Sequence, residues 1–337
     1  MKKKRRRRIR IIYLSILLLF TFIMFSTTSY AWFTSNRIVT VNTINIHVGA
    51  SGGVEISVDG TNWKSIITPE DITSVHDTTY PGSVNQLPAQ LMPVSSGKEV
   101  DTTRGFLKIF YGMTDNNSSG EFSLESVRSI EEESNGVSSS GKFIVFDLFF
   151  KTDTDSDLYL TGESNVVYTN PETSKGIANA ARIAFLNEGT VPVGSALGTI
   201  QGLRGATNNT VYLWEPNYDT HTDAGIANAR DVYHITTTNS NATRLDYDGI
   251  ITDFANSAGV TIKTANSATY PSYFKKVTVD YPTKNGFTEY VRAFHVDAGI
   301  TKMRIYMWIE GQDVDCENAA SYDDIDFNLQ LTVNPGA

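Results

Sequence analysis

The strongest constraint in this chain is a strict alternation near its C-terminal end. From Ile325 to Val333, the apolar residues Ile325, Phe327, Leu329, Leu331 and Val333 alternate with Asp326, Asn328, Gln330 and Thr332. Successive side chains of a strand point to opposite faces, so this segment buries one face only as a β-strand. Met303, Ile305, Met307 and Ile309 repeat the pattern, as do Val277, Val279 and Tyr281. Residues 142–151 (KFIVFDLFFK) are apolar on both faces, which suits a strand covered on both sides. Val54 to Val58 runs into Asp59-Gly60, a hairpin turn signal, with Trp63 on the return. Leu107 to Tyr111, Val211 to Trp214 and Glu289 to Val296 are further strand candidates. The best helix signal, Ser174 to Ala181, is long enough for one or two turns. Many strands, joined by Gly, Asn and Thr with little helix, predict an all-β chain folded as a jelly-roll-like β-sandwich.

Two stretches stand outside this pattern. Gly112 to Gly141 is rich in Ser, Asn and Glu and reads as a long exposed loop. Asn187 to about Ser272 is polar, and its apolar runs are too short to fill a separate core, so it reads as an elaboration inserted into the sandwich. The sandwich domain itself is expected to span residues 42–337.

The N-terminus is built differently. Eight of the first ten residues are basic, Ile11 to Phe33 carries no charge, and Ser29-Tyr30-Ala31 places small residues at the −3 and −1 positions of a peptidase junction. That is the layout of a secretory signal, residues 1–31, cleaved between Ala31 and Trp32 by a signal peptidase. The alternative is an uncleaved anchor, since the uncharged stretch is long enough to reach across a bilayer.

Removing the signal leaves 20 basic residues against 37 acidic ones, a net charge of −17. A domain this acidic repels phosphate backbones, which argues against nucleic acid as a partner. It suits a secreted, extracellular or cell-surface protein. The single cysteine, Cys316, cannot staple its own chain and is expected to be a small packed residue.

In Ile38 to Val48 (IVTVNTINIHV) the apolar positions change phase. Val39 and Val41 are odd, whereas Ile44, Ile46 and Val48 are even. A one-residue slip turns every later side chain to the other face. The segment is therefore either one strand with a bulge near Asn42 or two strands serving two surfaces.

Ser29-Tyr30-Ala31-Trp32-Phe33-Thr34-Ser35-Asn36 after an apolar signal, followed by a Thr/Val-rich strand, resembles the start of TasA/camelysin-type proteins of Gram-positive bacteria. The resemblance is specific over residues 29–48 and looser beyond. It implies a jelly roll that polymerises with copies of itself into biofilm-matrix fibres, the freed N-terminal segment of one subunit adding as a strand to the next. On this chain the donor segment would be residues 32–41, with Val39 and Val41 giving register, and Thr43 to Val48 would open the subunit's own sheet. The chain departs from the family in its greater length, its insertion and its unusually basic signal.

No motif carries catalysis, so no enzymatic activity is expected. Gly49-Ala50-Ser51-Gly52-Gly53 fits G-x-S-x-G in letters, but a nucleophile elbow needs a strand-to-helix turn and here two strands flank it. Camelysin-like proteins have been classed with metallopeptidases, yet none of the five histidines lies in H-E-x-x-H, the spacing that sets two zinc ligands on one helix face. His221 and His295 each open an H-x-D-A-G-I pattern, read as two unrelated strand-end turns. Asp153, Asp155 and Asp157 alternate in a turn and are the candidate calcium ligands, although Leu158 and Ser164 break the EF-hand pattern. The acidic run Asp313, Asp315, Glu317, Asp323 and Asp324 is a second candidate, and otherwise no cofactor is expected. Trp63, Trp214 and Trp308 are available for stacking on a sugar, Trp308 because it lies opposite the apolar face of its strand. The leading expectation is a structural subunit of extracellular fibres. A monomeric adhesin or carbohydrate-binding module, and less so a camelysin-like protease, are the alternatives.

Overall fold

The computed structural model describes residue 13 and residues 38–49, 53–101, 103, 105–114, 121–126, 141–170, 176–205, 210–231, 248–250, 260–263, 274–316 and 324–333. Strands are the main regular structure of these residues, with three short α-helices, and the fold is an all-β sandwich. One sheet contains seven strands: Val39–Gly49, Ile66–Ile67, Gln90–Leu91, Ser156–Leu160, Asn165–Tyr168, Val291–Val296 and Asp324–Val333. The facing sheet contains six: Glu55–Ser57, Ile144–Thr152, Ala181–Val191, Val211–Glu215, Tyr281–Pro282 and Gly299–Ile309.

The alternating segments form strands as their patterns dictate. Asp324–Val333 buries every second residue, and its five apolar side chains enter the core between the sheets. From the other sheet Met303, Ile305, Met307 and Ile309 meet them. Ile144–Thr152 lies inside its sheet, between Gly299–Ile309 and Glu55–Ser57. It is apolar on both faces because there is a second core. Phe143, Val145, Ala184, Leu186, Leu213, Tyr306 and Trp308 pack outward against Val94, Leu107, Ile109, Val277 and Val279. Trp308 is therefore fully buried rather than exposed, since segments crossing over the sheet cover the face that alternation alone assigns to solvent. Val277 and Val279 contribute to this second core from irregular backbone, and only Tyr281–Pro282 is strand there.

The Asp59-Gly60 turn forms as expected. Gly60 has φ 74°, a left-handed conformation that glycine adopts without strain, and Lys64 returns to pair with Ile56. The Asp59 carboxylate accepts from the backbone of Thr61 and Asn62 and from the side chains of Ser57, Asn62 and Thr79. Of the expected Ser174 to Ala181 helix, Ile177–Ala180 is a single 3₁₀ turn.

Two boundaries need correction. The inserted elaboration does not begin at Asn187, because Ala181–Val191 and Val211–Glu215 pair within the six-stranded sheet. Polar composition misled there, since the polar residues 187–190 extend a strand whose first half, Ala181 to Leu186, is buried and, Arg182 apart, apolar. Nor is Gly112 to Gly141 loop throughout. Phe110–Thr114 pairs with Glu121–Ser126, which in turn pairs with Val260–Lys263 of the elaboration.

Candidate functional site

The site that sequence assigns to assembly is the first strand, Val39–Gly49. It lies parallel to the last strand, Val41 opposite Ile325 and Ile44 opposite Phe327. The register shifts between Val41 and Thr43, leaving Asn42 as the extra residue of a bulge. That resolves the phase change: the bulge absorbs one residue, and Val39, Val41, Ile44, Ile46 and Val48 all enter the same core.

The expectation of a donor segment outside the subunit's own fold is thereby corrected for residues 39–41. Val39 is fully buried and pairs with Leu91, and Val41 N–H donates to the Ala89 carbonyl at 2.9 Å. These valines complete their own sheet, because one bulge costs the chain less than exposing two apolar side chains. Residues 32–37, with the cleavage residues Ser29, Ala31 and Trp32 and the rest of the signal apart from Tyr13, lie outside the described residues.

The far edge of the first strand is only partly paired. Gln90–Leu91 covers Val39 and Thr40, and Ile66–Ile67 covers Ile46 and His47. Between them, Asn42 donates from its side chain to Thr169 Oγ1, and Asn45 donates to Asn328 Oδ1, both at 2.8 Å. Asn328 donates in turn to Asn165 Oδ1 at 2.8 Å, so three amides form a ladder across three strands of the outer face. The N-terminal end of the strand, leading back to the export junction, is thus held by one parallel neighbour, one two-residue strand and two buried valines.

The other sequence candidates disperse. Asp157 accepts from Arg292 and from His295 Nδ1, each at 2.8 Å, and Asp155 accepts from the Ala298 N–H at 2.9 Å. Asp153, Asp155 and Asp157 therefore do not converge on one point. Among the described residues there is no cluster of three or more His, Cys, Asp or Glu side chains able to hold a metal ion. The acidic run divides: Asp313 pairs with Arg182, Asp315 pairs with His221, and Glu317 and Asp323 lie outside the described residues. Cys316 is buried. His221 precedes the Asp223–Asp231 helix, whereas His295 ends a strand.

The His221–Asp315 pair joins two segments that sequence treated separately. His221 Nδ1 lies 2.7 Å from Asp315 Oδ2, and Asp315 Oδ1 accepts from the N–H and hydroxyl of Thr222. Burial lowers the His221 pKa, but Asp315, with Asp313 and Glu215 nearby, outweighs it and holds the imidazole above its usual range. Their sequence separation is 94 residues, and no local pattern signals such a pairing.

Sequence reasoning also missed a buried charged network on the outer face of the six-stranded sheet. Asp147 receives Arg304 and Lys302 and the hydroxyl of Tyr80, and Glu188 lies 3.4 Å from Arg304. A signal for it was present, since Asp147 is the lone charge inside the apolar run 143–150. Such a charge requires a buried partner.

Comparison with family models, curated proteins and solved structures finds no match.

Proposed function

We propose that the chain is an exported structural subunit of an extracellular or surface matrix that assembles with copies of itself. Assembly proceeds by exchange. The segment N-terminal to Asn42 leaves its own place beside Asp324–Val333 and the same segment of a neighbour fills it. The observation that carries this reading is the seating of Val39 and Val41, buried at the end of the chain that export would free and joined to the rest of the sheet through a bulge. Exchange of an identical element costs little, because the swapped contacts equal those given up. The contact is head-to-tail and does not close on itself, so it generates filaments. The export-signal layout, the acidic mature composition and the lack of a catalytic motif in the sequence support the same reading.

The test is electron microscopy of secreted protein, with intact mass measured on the same sample. Filaments built from chains beginning at Trp32 are expected. A protein that keeps residues 1–31 points to a membrane anchor, and one that starts at Trp32 yet remains monomeric at every concentration points to an adhesin.

A further inference from the structure

We infer that a cavity beside the His221–Asp315 pair binds one neutral sugar ring, whether the chain is polymeric or not. The cavity has a volume of about 280 Å³ and lies between Asn165–Tyr168 and the segment that leads into the Asp223–Asp231 helix. Its wall combines the apolar Val166 and the ring of Tyr168 with Asn179, Asn217, His221 and Asn285.

One of these groups is held in the wall with a buried polar atom unpartnered. The His221 side chain is 4 % exposed, and its Nε2 has no partner among the described residues. Asn179 is 5 % exposed and lines the same wall. A buried polar atom without a partner is costly and needs an explanation, and a ligand occupying the cavity supplies one. Asn217 adds a sign of constraint, for it holds φ 54° while its amide donates to the Val166 carbonyl.

Charge and size select the ligand class. Of the charged groups only His221 lines the cavity, and behind it Asp315 pairs with His221 while Asp313 and Glu215 pair with Arg182, so carboxylates outnumber cations there and an anionic ligand is disfavoured. A single imidazole among amides and hydroxyls is a poor set for a metal ion. The volume lies below the roughly 300 Å³ at which sites for drug-sized ligands begin, which leaves room for one ring. A neutral sugar offers hydroxyls that both donate and accept, which the amide of Asn179 and the imidazole can meet, and C–H faces that suit Tyr168.

The test is titration of the mature protein with glucose, galactose, mannose and N-acetylglucosamine, followed by saturation-transfer NMR and calorimetry, with zinc and inorganic phosphate as comparison probes. Saturable binding of at least one sugar is expected, weakened roughly tenfold or more by His221→Ala. Because that change strips Asp315 of its partner and risks the fold, Asn179→Leu is the second variant. It removes an amide from the cavity wall and leaves the His221–Asp315 pair in place, so binding is lost while the fold, read by the melting temperature, is kept. The inference is overturned if no sugar binds the folded protein, if binding survives Asn179→Leu, or if only zinc or phosphate binds.

Discussion

Arg304 and Asp147 stand directly opposite each other on adjacent antiparallel strands, and the guanidinium Nε meets the carboxylate at 2.8 Å with both side chains buried. The pair is surrounded by further polar groups. Lys302 Nζ lies 3.2 Å from the same carboxylate and donates to the Tyr80 hydroxyl and to the Gln201 carbonyl. Burial raises the Asp147 pKa, but the charges of Arg304 and Lys302 outweigh it and hold the carboxyl well below its usual range. Burial and Asp147 together push the Tyr80 phenol far above its own range.

Breaking this pair leaves two buried cations facing a missing charge. Asp147→Ala is therefore expected to destabilise the fold by about 3–5 kcal/mol, measured by urea denaturation. The double change Asp147→Leu with Arg304→Met removes both charges and should recover more than half of that loss. An Asp147→Ala protein as stable as the parent would mean that the network carries no energetic weight.

The buried acids also set the pH profile. Burial raises the Glu310 pKa from 4.5 to about 7, although Ser95, the Gln312 N–H and the Trp308 indole pull it down. A carboxyl that holds its proton more tightly when folded gives stability below its unfolded pKa and loses it as pH rises through the folded value. At about 1.4 kcal/mol per unit, Glu310 costs the fold about 3 kcal/mol between pH 4.5 and pH 7. His221 is also raised, by Asp315 against burial, and acts in the same direction. Asp59 acts oppositely. Its hydrogen bonds outweigh burial and lower it from 3.8 to about 2, so its contribution is present above 3.8 and lost as pH falls toward 2. Maximum stability is expected in mildly acidic solution, with a decline toward pH 8 that Glu310→Gln flattens. Thermal melts across that range, in parent and variant, provide the check.

What the sequence made legible follows from the reach of each pattern. Alternation in residues 325–333 is a local property, so the last strand and its buried face could be read directly. By the same rule Lys302 and Arg304 fall on the face opposite Met303 and Ile305, yet they are nearly fully buried, because Tyr80, Gly105 and Phe106 cover them. The phase change at Asn42 was legible as a fact but not in its meaning. A bulge and a break between two strands leave the same signature, and only the register with Ile325 and Asp326 distinguishes them.

Replacing Val39 and Val41 by Asp tests the seating of the first strand. Each buried valine contributes about 1.5–3 kcal/mol, and the introduced carboxylates have no buried partner. The double variant should lose at least about 3 kcal/mol of monomer stability by urea denaturation, and it should also fail to form filaments. If the monomer keeps its stability, these residues lie outside the subunit's own core.

Deleting Asn42 separates folding from exchange. Asn42 is the extra residue between the Val41–Ile325 and Thr43–Asp326 pairs, so its removal leaves those pairs adjacent and the strand regular. Val39 and Val41 still point inward, now in the same alternation as Ile44, Ile46 and Val48. The one side-chain interaction forfeited is the exposed hydrogen bond to Thr169. Monomer stability should therefore change by less than about 1 kcal/mol, since an exposed hydrogen bond contributes about that much at most. Exchange should suffer, because the bulge is where the N-terminal segment can bend away while residues 43–49 remain paired. The expected result is a stable monomer whose filaments form more slowly or not at all, followed by light scattering and electron microscopy. Filaments that grow at the parental rate from the deleted protein would remove the bulge from the assembly mechanism, and a monomer that unfolds would show that the register assigned to the first strand is wrong.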